Sequence, residues 1–536
     1  MVKELVIYFL VGLFAFANGL SGAFMLDDHS FFTMEIKDIR FMPKHFIPMA
    51  YKTHESSGVP HGQPNFYYRP FAKVLPSISY VMFAERTFFY HLFNLILLVT
   101  AGFLLFRFLL VTGVMGHRGA FLAGLFYIIH PINGVMVNYI TASVFTAQVI
   151  FMLGALYCLT LGYEGRGTRD EGRKEKDIKS PSSVFGLQSL VPIFSSIVYR
   201  PSSIGLSLFF FVLALMCHET ALLLPVYASI FLYIYGPAGT FLERAKVCIR
   251  KTWFLWAAAA GWLVLRFFYA SLGDSLFAKF SRFEMGPFEY AASVGKLTCW
   301  YLSKLVIPWD IVLIWATPVV RGAEVWIWNL AMVLMVCFVF YLFKRSQDKI
   351  VRLGVLWLAA GFLPLPLMCL FQPTHGPMIE PHWFVFSSIG SFVIFARTAT
   401  TPGVEAVASI NKRVVVVVCL MMVPWFIMGW RHNHLWSDEK RYAHYWCDVS
   451  PSIKAVWFHL GEMYFKERRF SEAAGYYERS IRRTYQDYLA YQRMGLAYFS
   501  VQDYRRAQLN FMLSLELEPR QPGIRERLKW IEKHTE

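Results

Sequence analysis

The sequence predicts an all-α membrane protein, with a polytopic helical domain of about 11–13 spans followed by a short domain of helical repeats. Three observations favour this fold class. Of 536 residues, 56% are hydrophobic and only 16% are charged, whereas a typical soluble domain carries about 25% charged residues. Many apolar runs approach the roughly 20 residues that cross a bilayer as a helix. After Trp430 these runs end, and a pattern with a 34-residue period begins.

The predicted membrane domain, residues 1–430, contains eleven apolar segments. These are residues 5–25, 88–111, 118–131, 141–163, 203–217, 219–236, 253–272, 324–343, 351–371, 383–398 and 414–430. A further apolar stretch, Leu297–Trp315, is rich in Trp and Tyr and is predicted to lie at the interface or re-enter. The first segment exceeds the roughly 7–15 apolar residues of a cleavable signal, so we expect an uncleaved helix, although "AFA" at 14–16 resembles a cleavage site.

Loop charges predict the orientation, because Lys and Arg collect in cytoplasmic loops. The basic loops fall on one side if Leu297–Trp315 does not cross, and they include 164–202, 243–251 and 344–352. We therefore expect a multi-pass protein of the plasma or inner membrane with a cytoplasmic N-terminus. The loop 26–87 and the whole region 431–536 are then extracytoplasmic, and 164–202 is a solvated cytoplasmic linker.

Charge and cysteine content exclude other classes. The net charge of +16 is explained by this topology, and the chain has no basic-aromatic module typical of nucleic-acid binding, so no nucleic-acid partner is expected. The eight cysteines are scattered, most lie in apolar runs, and no CxxC occurs. This pattern indicates buried thiols and neither a disulfide framework nor a zinc site.

Residues 431–536 show the tetratricopeptide pattern, in which each repeat is a pair of antiparallel helices. The predicted repeats are about 454–487 and 488–521. Six positions of the first recur 34 residues later: Trp457, Leu460, Gly461, Tyr464, Ala473 and Tyr477 become Tyr491, Met494, Gly495, Tyr498, Ala507 and Phe511. Two repeats are fewer than the three usually needed for stability, so we expect segments 438–451 and 522–534 to act as caps.

Charged residues at membrane depth are costly and are therefore functional candidates. On the predicted outer side they converge on a few places, namely Asp27 and Asp28, Arg69, His130, His218 with Glu219, and Glu380 with His382. A carboxylate can take a proton from an acceptor hydroxyl, and basic groups can hold a phosphate and neutralise its growing charge. This combination favours transfer of a group from a lipid phosphate.

Each of these residues also has a structural interpretation. An acid pair after a helix serves equally as a stop signal or an interface anchor. Arg69 can snorkel to head groups. His218 with Glu219 can hold helices together as an internal polar pair, and His130 can cap a helix end. His375, in an outer loop, is expected to be solvated.

Six local motifs follow the acidic pair Asp27-Asp28 in a fixed order. They are "YYRPF" (67–71), "YHLFNLILL" (90–98), "IIHPIN" (128–133), "LMCHETALLLP" (215–225), "EPHWFVFSSIG" (380–390) and "RHNHLWSDE" (431–439). In this order they resemble the GT-C superfamily of membrane glycosyltransferases. The greatest similarity is to the protein O-mannosyltransferase-like branch that ends in tetratricopeptide repeats. Each motif is weak alone, but the series covers nearly the whole chain.

The resemblance implies a polyprenyl-phosphate-linked sugar as donor, a protein Ser/Thr hydroxyl as acceptor and membrane lipid as surroundings. It implies Asp27 or Asp28 as general base, with Asp28 slightly preferred. The donor phosphate would be held by Arg69, His130, His218 and His382, and Glu219 and Glu380 would orient these groups or the acceptor. No cofactor and no metal are expected, although other members of the superfamily bind a divalent cation through acidic residues.

Three departures from the family pattern weaken this expectation. His218 stands where the family has Lys, His382 stands where it has Arg, and Asn133 stands where it has a second His. An imidazole is charged only near or below about pH 6.5. Alternatives are therefore the same fold with a lipid or glycan acceptor, or a non-catalytic scaffold acting through its repeats. A transporter is disfavoured by the lack of duplicated broken-helix halves.

Overall fold

The computed structural model describes residues 1–25, 28–29, 34–46, 68–171, 202–270, 285–370, 377–400, 412–481 and 487–535. Within these ranges the chain is almost entirely helical, and its two strands are each two residues long. The predicted all-α class is confirmed. Two residues singled out from the sequence, the candidate site residue Asp27 and the loop residue His375, lie outside the described residues.

The region before residue 437 forms sixteen α-helices among the described residues. They are α1 (Val2–Phe16), α2 (Met34–Lys37), α3 (Phe71–Phe83), α4 (Thr87–Val111), α5 (His117–Ile129), α6 (Pro131–Asn138), α7 (Ser143–Glu171), α8 (Ser202–Cys217), α9 (Leu224–Tyr235), α10 (Phe241–Ala270), α11 (Pro287–Val306), α12 (Glu324–Arg345), α13 (Lys349–Gly361), α14 (Leu365–Leu370), α15 (Ile389–Ala399) and α16 (Lys412–Trp436). Helix α7 packs on α4 and α8, and α13 packs on α9 and α15. Single-turn or short 3-10 helices occur at Ile39–Phe46, Ile140–Ala142, Glu219–Leu223 and Pro381–Phe384.

Several of these helices could span a membrane. Four described helical segments are long and apolar enough to cross a membrane: Thr87–Val111, Ile140–Leu161, Glu324–Arg345 and Lys349–Leu367. The pair α5 and α6 forms a fifth if it counts as one bent span, with an angle of 57° between the two helices. Four shorter apolar helices are Phe71–Phe83, Ser203–Cys217, Glu219–Tyr235 and Ile389–Ala399. Eleven full-length spans are therefore not found in the described part of the chain.

Three predicted segments differ from the helices that form. The run 5–25 is helical only as far as Phe16. The run 118–131 breaks at His130, and Pro131 begins α6, where its fixed φ and missing N–H suit a first helical turn. In Leu297–Trp315 the helix ends at Val306, and an irregular segment leads into strand β1 (Trp315–Ala316). This stretch is thus not one continuous helix, as expected for a segment that does not span.

The C-terminal region forms six further helices. They are α17 (Glu439–Val449), α18 (Lys454–Lys466), α19 (Phe470–Ile481), α20 (Tyr488–Ser500), α21 (Tyr504–Leu517) and α22 (Pro522–Thr535). Helices α18 and α19 pack together as one pair, and α20 and α21 as the next. A Cβ on Gly461 would lie 2.5 Å from the ring of Tyr477, and a Cβ on Gly495 would lie 2.6 Å from the ring of Phe511. The same close helix approach therefore recurs at a 34-residue offset.

Helix α17 joins this region to the membrane helices. The Tyr442 hydroxyl accepts a hydrogen bond from the Leu313 amide at 2.8 Å, and the Trp446 indole donates to the Ile314 carbonyl at 2.7 Å. The hydroxyl of Ser450, which directly follows α17, accepts from the Ala316 amide at 2.9 Å. Since residues four apart lie on one face of a helix, this face supplies the hydrogen-bond partners that an irregular buried backbone needs.

Strand β1 pairs antiparallel with β2 (Met378–Ile379), with Trp315 opposite Ile379 and Ala316 opposite Met378. Strand β2 runs directly into Glu380 and the short helix Pro381–Phe384. One continuous hydrophobic core extends from the membrane helices through α17 to α20. The small sheet thus connects the C-terminal region with the segment that carries Glu380 and His382.

Candidate functional site

Two arginines from distant parts of the chain, Arg69 and Arg266, meet at the carboxylate of Glu219. Arg69 Nε donates to the two Glu219 carboxylate oxygens at 3.0 and 2.9 Å, and its Nη2 lies 2.6 Å from Oε2. Arg266 Nη1 contacts the other oxygen, Oε1. The side chains of Arg266 and Glu219 are 9% and 19% exposed. We refer to these three residues, two guanidinium groups and the carboxylate that both contact, as the arginine–glutamate cluster (Arg69, Glu219 and Arg266).

Breaks and ends of helices position these groups. Arg69 lies directly before α3, where Pro70 serves as the N-cap. Glu219 begins the 3-10 turn that follows α8, where residue 218 has an extended backbone. Arg266 projects from α10, in the middle of the apolar run "WLVLRFFY". An ionisable residue in an apolar helix is expected to face inward and find a partner, and Arg266 does so by contacting Glu219.

His218 adjoins the cluster as a neutral imidazole. Its Nδ1 accepts a hydrogen bond from the Thr220 amide at 3.3 Å, and its Nε2 lies 3.4 Å from Glu219 Oε2. A nitrogen that accepts a hydrogen bond carries no proton, so the ring is not the imidazolium form in this arrangement. The positive charges beside Glu219 are those of Arg69 and Arg266.

His382 contacts the same aromatic ring as His218, that of Phe145. The ring centroid of Phe145 is 4.7 Å from that of His218 and 4.2 Å from that of His382. His382 Nε2 contacts Glu380 Oε2 at 2.7 Å. Its Nδ1 is buried and has no hydrogen-bond partner among the described residues. A buried nitrogen of this kind is costly to leave unpaired, which makes it a candidate contact for a ligand.

Asp28 is bound by Thr141, which lies four residues before Phe145. Its Oδ1 accepts from the Thr141 amide at 3.0 Å and from the Thr141 hydroxyl at 2.6 Å, and its Oδ2 accepts from the Met25 amide at 3.1 Å. Asp28 is 1% exposed. Thr141 precedes Phe145 by four residues, which corresponds to about one turn or ~5.4 Å of helix. The short helix Ile140–Ala142 and the first turn of α7 therefore carry, within five residues, the partner of the Asp28 carboxylate and the ring that both histidines contact.

His130 occupies a different kind of position. Its Nδ1 accepts from the Ile132 amide at 3.2 Å, and its Nε2 lies 3.2 Å from the Leu305 carbonyl, to which it donates. The ring is fully buried and contacts the ring of Trp425 at 4.5 Å between centroids. Because backbone groups occupy both nitrogens, the expected contact of His130 with a donor phosphate is not supported, and the helix-cap alternative is favoured.

The structure thus brings Arg69, His218, Glu219 and His382 together, with Glu380 bonded to His382. Sequence reasoning missed Arg266 and the anchoring role of Thr141. Arg266 carries a sequence signal, because it is an Arg in an apolar run, but it does not lie at a predicted outer helix end. Nothing in the sequence marks Thr141, whose role depends on a contact across 113 positions of the chain.

Comparison with known proteins gives no match: no family model, no curated protein and no solved structure is similar to this chain.

Proposed function

We propose that this protein is a membrane glycosyltransferase that moves a sugar from a polyprenyl phosphate to an acceptor hydroxyl. The observation that carries this proposal is the arginine–glutamate cluster, in which two guanidinium groups from distant parts of the chain meet at one partly buried carboxylate. Two guanidinium groups at one partly buried place suit the anionic phosphate of a lipid-linked sugar, because a planar guanidinium can hold a phosphate through two hydrogen bonds.

The chemistry follows from these charges. The acceptor oxygen bonds to the anomeric carbon of the sugar while the bond from that carbon to the phosphate oxygen breaks. Negative charge grows on the departing phosphate, and Arg69 and Arg266 stabilise it. The hydroxyl proton passes to a carboxylate of the Asp27–Asp28 pair. Because Asp28 already accepts three hydrogen bonds, we assign the proton to Asp27 and the anchoring of the segment to Asp28.

The C-terminal helix pairs α18–α19 and α20–α21 are, in this proposal, two tetratricopeptide repeats that bind a protein acceptor. The recurrence of a glycine against an aromatic ring at 34-residue spacing supports this interpretation. The direct attachment of α17 to the segment before β1 supports an acceptor-binding region that lies close to the site. The loop charges favour an extracytoplasmic location for both.

The test uses the purified full-length protein, a polyprenyl-phosphate sugar and peptides that contain Ser and Thr. We expect transfer by the wild type, loss of transfer in Asp27→Asn, and weaker binding of polyprenyl phosphate in Arg69→Gln and Arg266→Gln. Arg397→Gln is the matched control, because Arg397 forms an ion pair with Asp348 at 2.5 Å away from the site. A wild type that neither transfers sugar nor binds polyprenyl phosphate would refute the proposed function and favour a scaffold.

A further inference from the structure

Glu439, at the start of α17, bridges two histidines. Its Oε1 lies 3.2 Å from His29 Nε2 and 2.9 Å from His459 Nε2, and its Oε2 lies 3.3 Å from His29 Nε2. His459 belongs to α18. His29 belongs to the segment that follows α1 and lies 410 positions before Glu439 in the chain. One carboxylate of the C-terminal region therefore contacts the N-terminal segment directly.

His29 is the neighbour of Asp28, and each of the two is held by a different part of the chain. Asp28 is anchored to the start of α7 through the amide and hydroxyl of Thr141. His29 is held by Glu439. A movement of α17 relative to α7 would therefore act on two adjacent residues that directly follow Asp27 in the sequence.

The same helix also contacts the segment that pairs with the strand before Glu380 and His382. Tyr442, Trp446 and Ser450 bind the backbone of residues 313–316. These residues enter β1, which pairs with β2 immediately before Glu380 and His382. Helix α17 is thus linked both to the segment with the acidic pair and to the segment with the unpaired His382 nitrogen.

We propose that Glu439 is a positioning residue, which acts through His29 to hold Asp28 in place and so couples the C-terminal helices to the transfer site. This inference rests on the proposed function for its catalytic consequence, whereas its structural consequence is independent of it. Its effect passes through the His29 contact and the backbone between His29 and Asp28.

The electrostatics of His29 agree with such a contact. The hydrogen bond with Glu439 raises the pKa of His29 above its ordinary value, and the charges of Glu439 and Asp28 add to this effect. Partial burial and the positive charge of Lys466 oppose it. Of the two carboxylates and one ammonium group that act on the imidazole, Glu439 therefore has the largest effect on its pKa.

The experiment compares Glu439→Gln with Glu467→Gln in the full-length protein. Glu467 is a matched control, because it binds the next residue of α17, Lys440, at 2.6–2.8 Å but does not contact the Asp28 segment. Backbone hydrogen exchange is followed at Met25 and Thr141, whose amides donate to Asp28. Because exposed ion pairs are weak, we expect Glu439→Gln to raise both exchange rates about two- to fivefold, and Glu467→Gln to leave them unchanged.

Transfer kinetics supply the second measurement. We expect Glu439→Gln to lower kcat by about the same factor without raising KM for the donor, and Glu439→Asp to restore part of it. Unchanged exchange at Met25 and Thr141 in Glu439→Gln would overturn the inference, even in a fully active enzyme. If the wild type shows no transfer, the proposed function fails, while the exchange rates still decide whether Glu439 positions Asp28.

Discussion

Replacing Arg266 with Gln tests the arginine–glutamate cluster most directly. Arg266 contributes a charge-assisted contact to Glu219 in a site where both side chains are at most one-fifth exposed. Removing one partner of a buried ion pair costs about 3–5 kcal/mol. Because Arg69 still holds Glu219 in the variant, we expect a smaller loss than that range, about 2–3 kcal/mol of unfolding free energy, close to one charge-assisted hydrogen bond.

The same variant should bind polyprenyl phosphate less tightly. If a charge-assisted hydrogen bond of about 1.5–3 kcal/mol to the phosphate is lost, the Kd rises about 10- to 100-fold. The assays are reversible unfolding in mixed micelles and equilibrium binding of polyprenyl phosphate. Arg266→Lys, which keeps the charge but not the planar fork, should lie between wild type and Arg266→Gln.

Arg397→Gln separates a structural effect from a ligand effect, since it removes an arginine–carboxylate pair outside the site. It should lower stability without changing the Kd for polyprenyl phosphate. The reasoning is refuted if Arg266→Gln has the stability and the Kd of the wild type. It is also refuted if Arg266→Gln and Arg397→Gln change the Kd equally.

Three further predictions concern the C-terminal region and its contacts. Gly461→Ala should destabilise α18–α19 by about 1–3 kcal/mol in thermal unfolding, because the added Cβ overlaps a buried aromatic ring. Gly475→Ala, where a Cβ meets nothing within 4 Å, should be neutral or stabilising by up to about 1 kcal/mol. Tyr442→Phe leaves a buried backbone N–H without its acceptor, and should cost about 1–3 kcal/mol in the same measurement. The stabilising contact of protonated His29 with Glu439 should be complete below the ordinary histidine pKa of about 6.5 and lost as pH rises through the raised pKa of His29. Hydrogen exchange at Met25 and Thr141, corrected for intrinsic rates, should therefore increase from about pH 6 to 8, and a flat profile would contradict this.

The sequence predicts the helical class and much of the helix placement, because apolar runs and helical periodicity are local properties. It predicts more full spans than the described helices provide, since the run 5–25 is helical only as far as Phe16 and several other runs form helices of fewer than 18 residues. The break at His130, where the histidine side chain caps α6, also turns the run 118–131 into part of a bent helix pair. The length of an apolar run therefore indicates membrane-depth helix, but it does not define where one helix ends.

For the candidate site, sequence reasoning identifies Arg69, Glu219 and His382, because charge and imidazole at the ends of apolar helices are conspicuous. It does not identify how they pair, since Arg69 and Glu219 are separated by 150 positions. It places a cation at His218, where the Thr220 amide requires a neutral ring nitrogen. Pairing and protonation state depend on tertiary contacts that a single sequence does not contain.

The attachment of α17 bears on how this protein can be divided for study. A cut at the predicted boundary between residues 430 and 431 would separate α17 from residues 313–316. The buried rings of Tyr442 and Trp446 would then face solvent, and the freed fragment would be prone to aggregate. A soluble version of residues 431–536 is therefore best made by supplying residues 310–316 as a fused strand. The same strand, added as a free peptide, would serve as a competitor that reports on the interface.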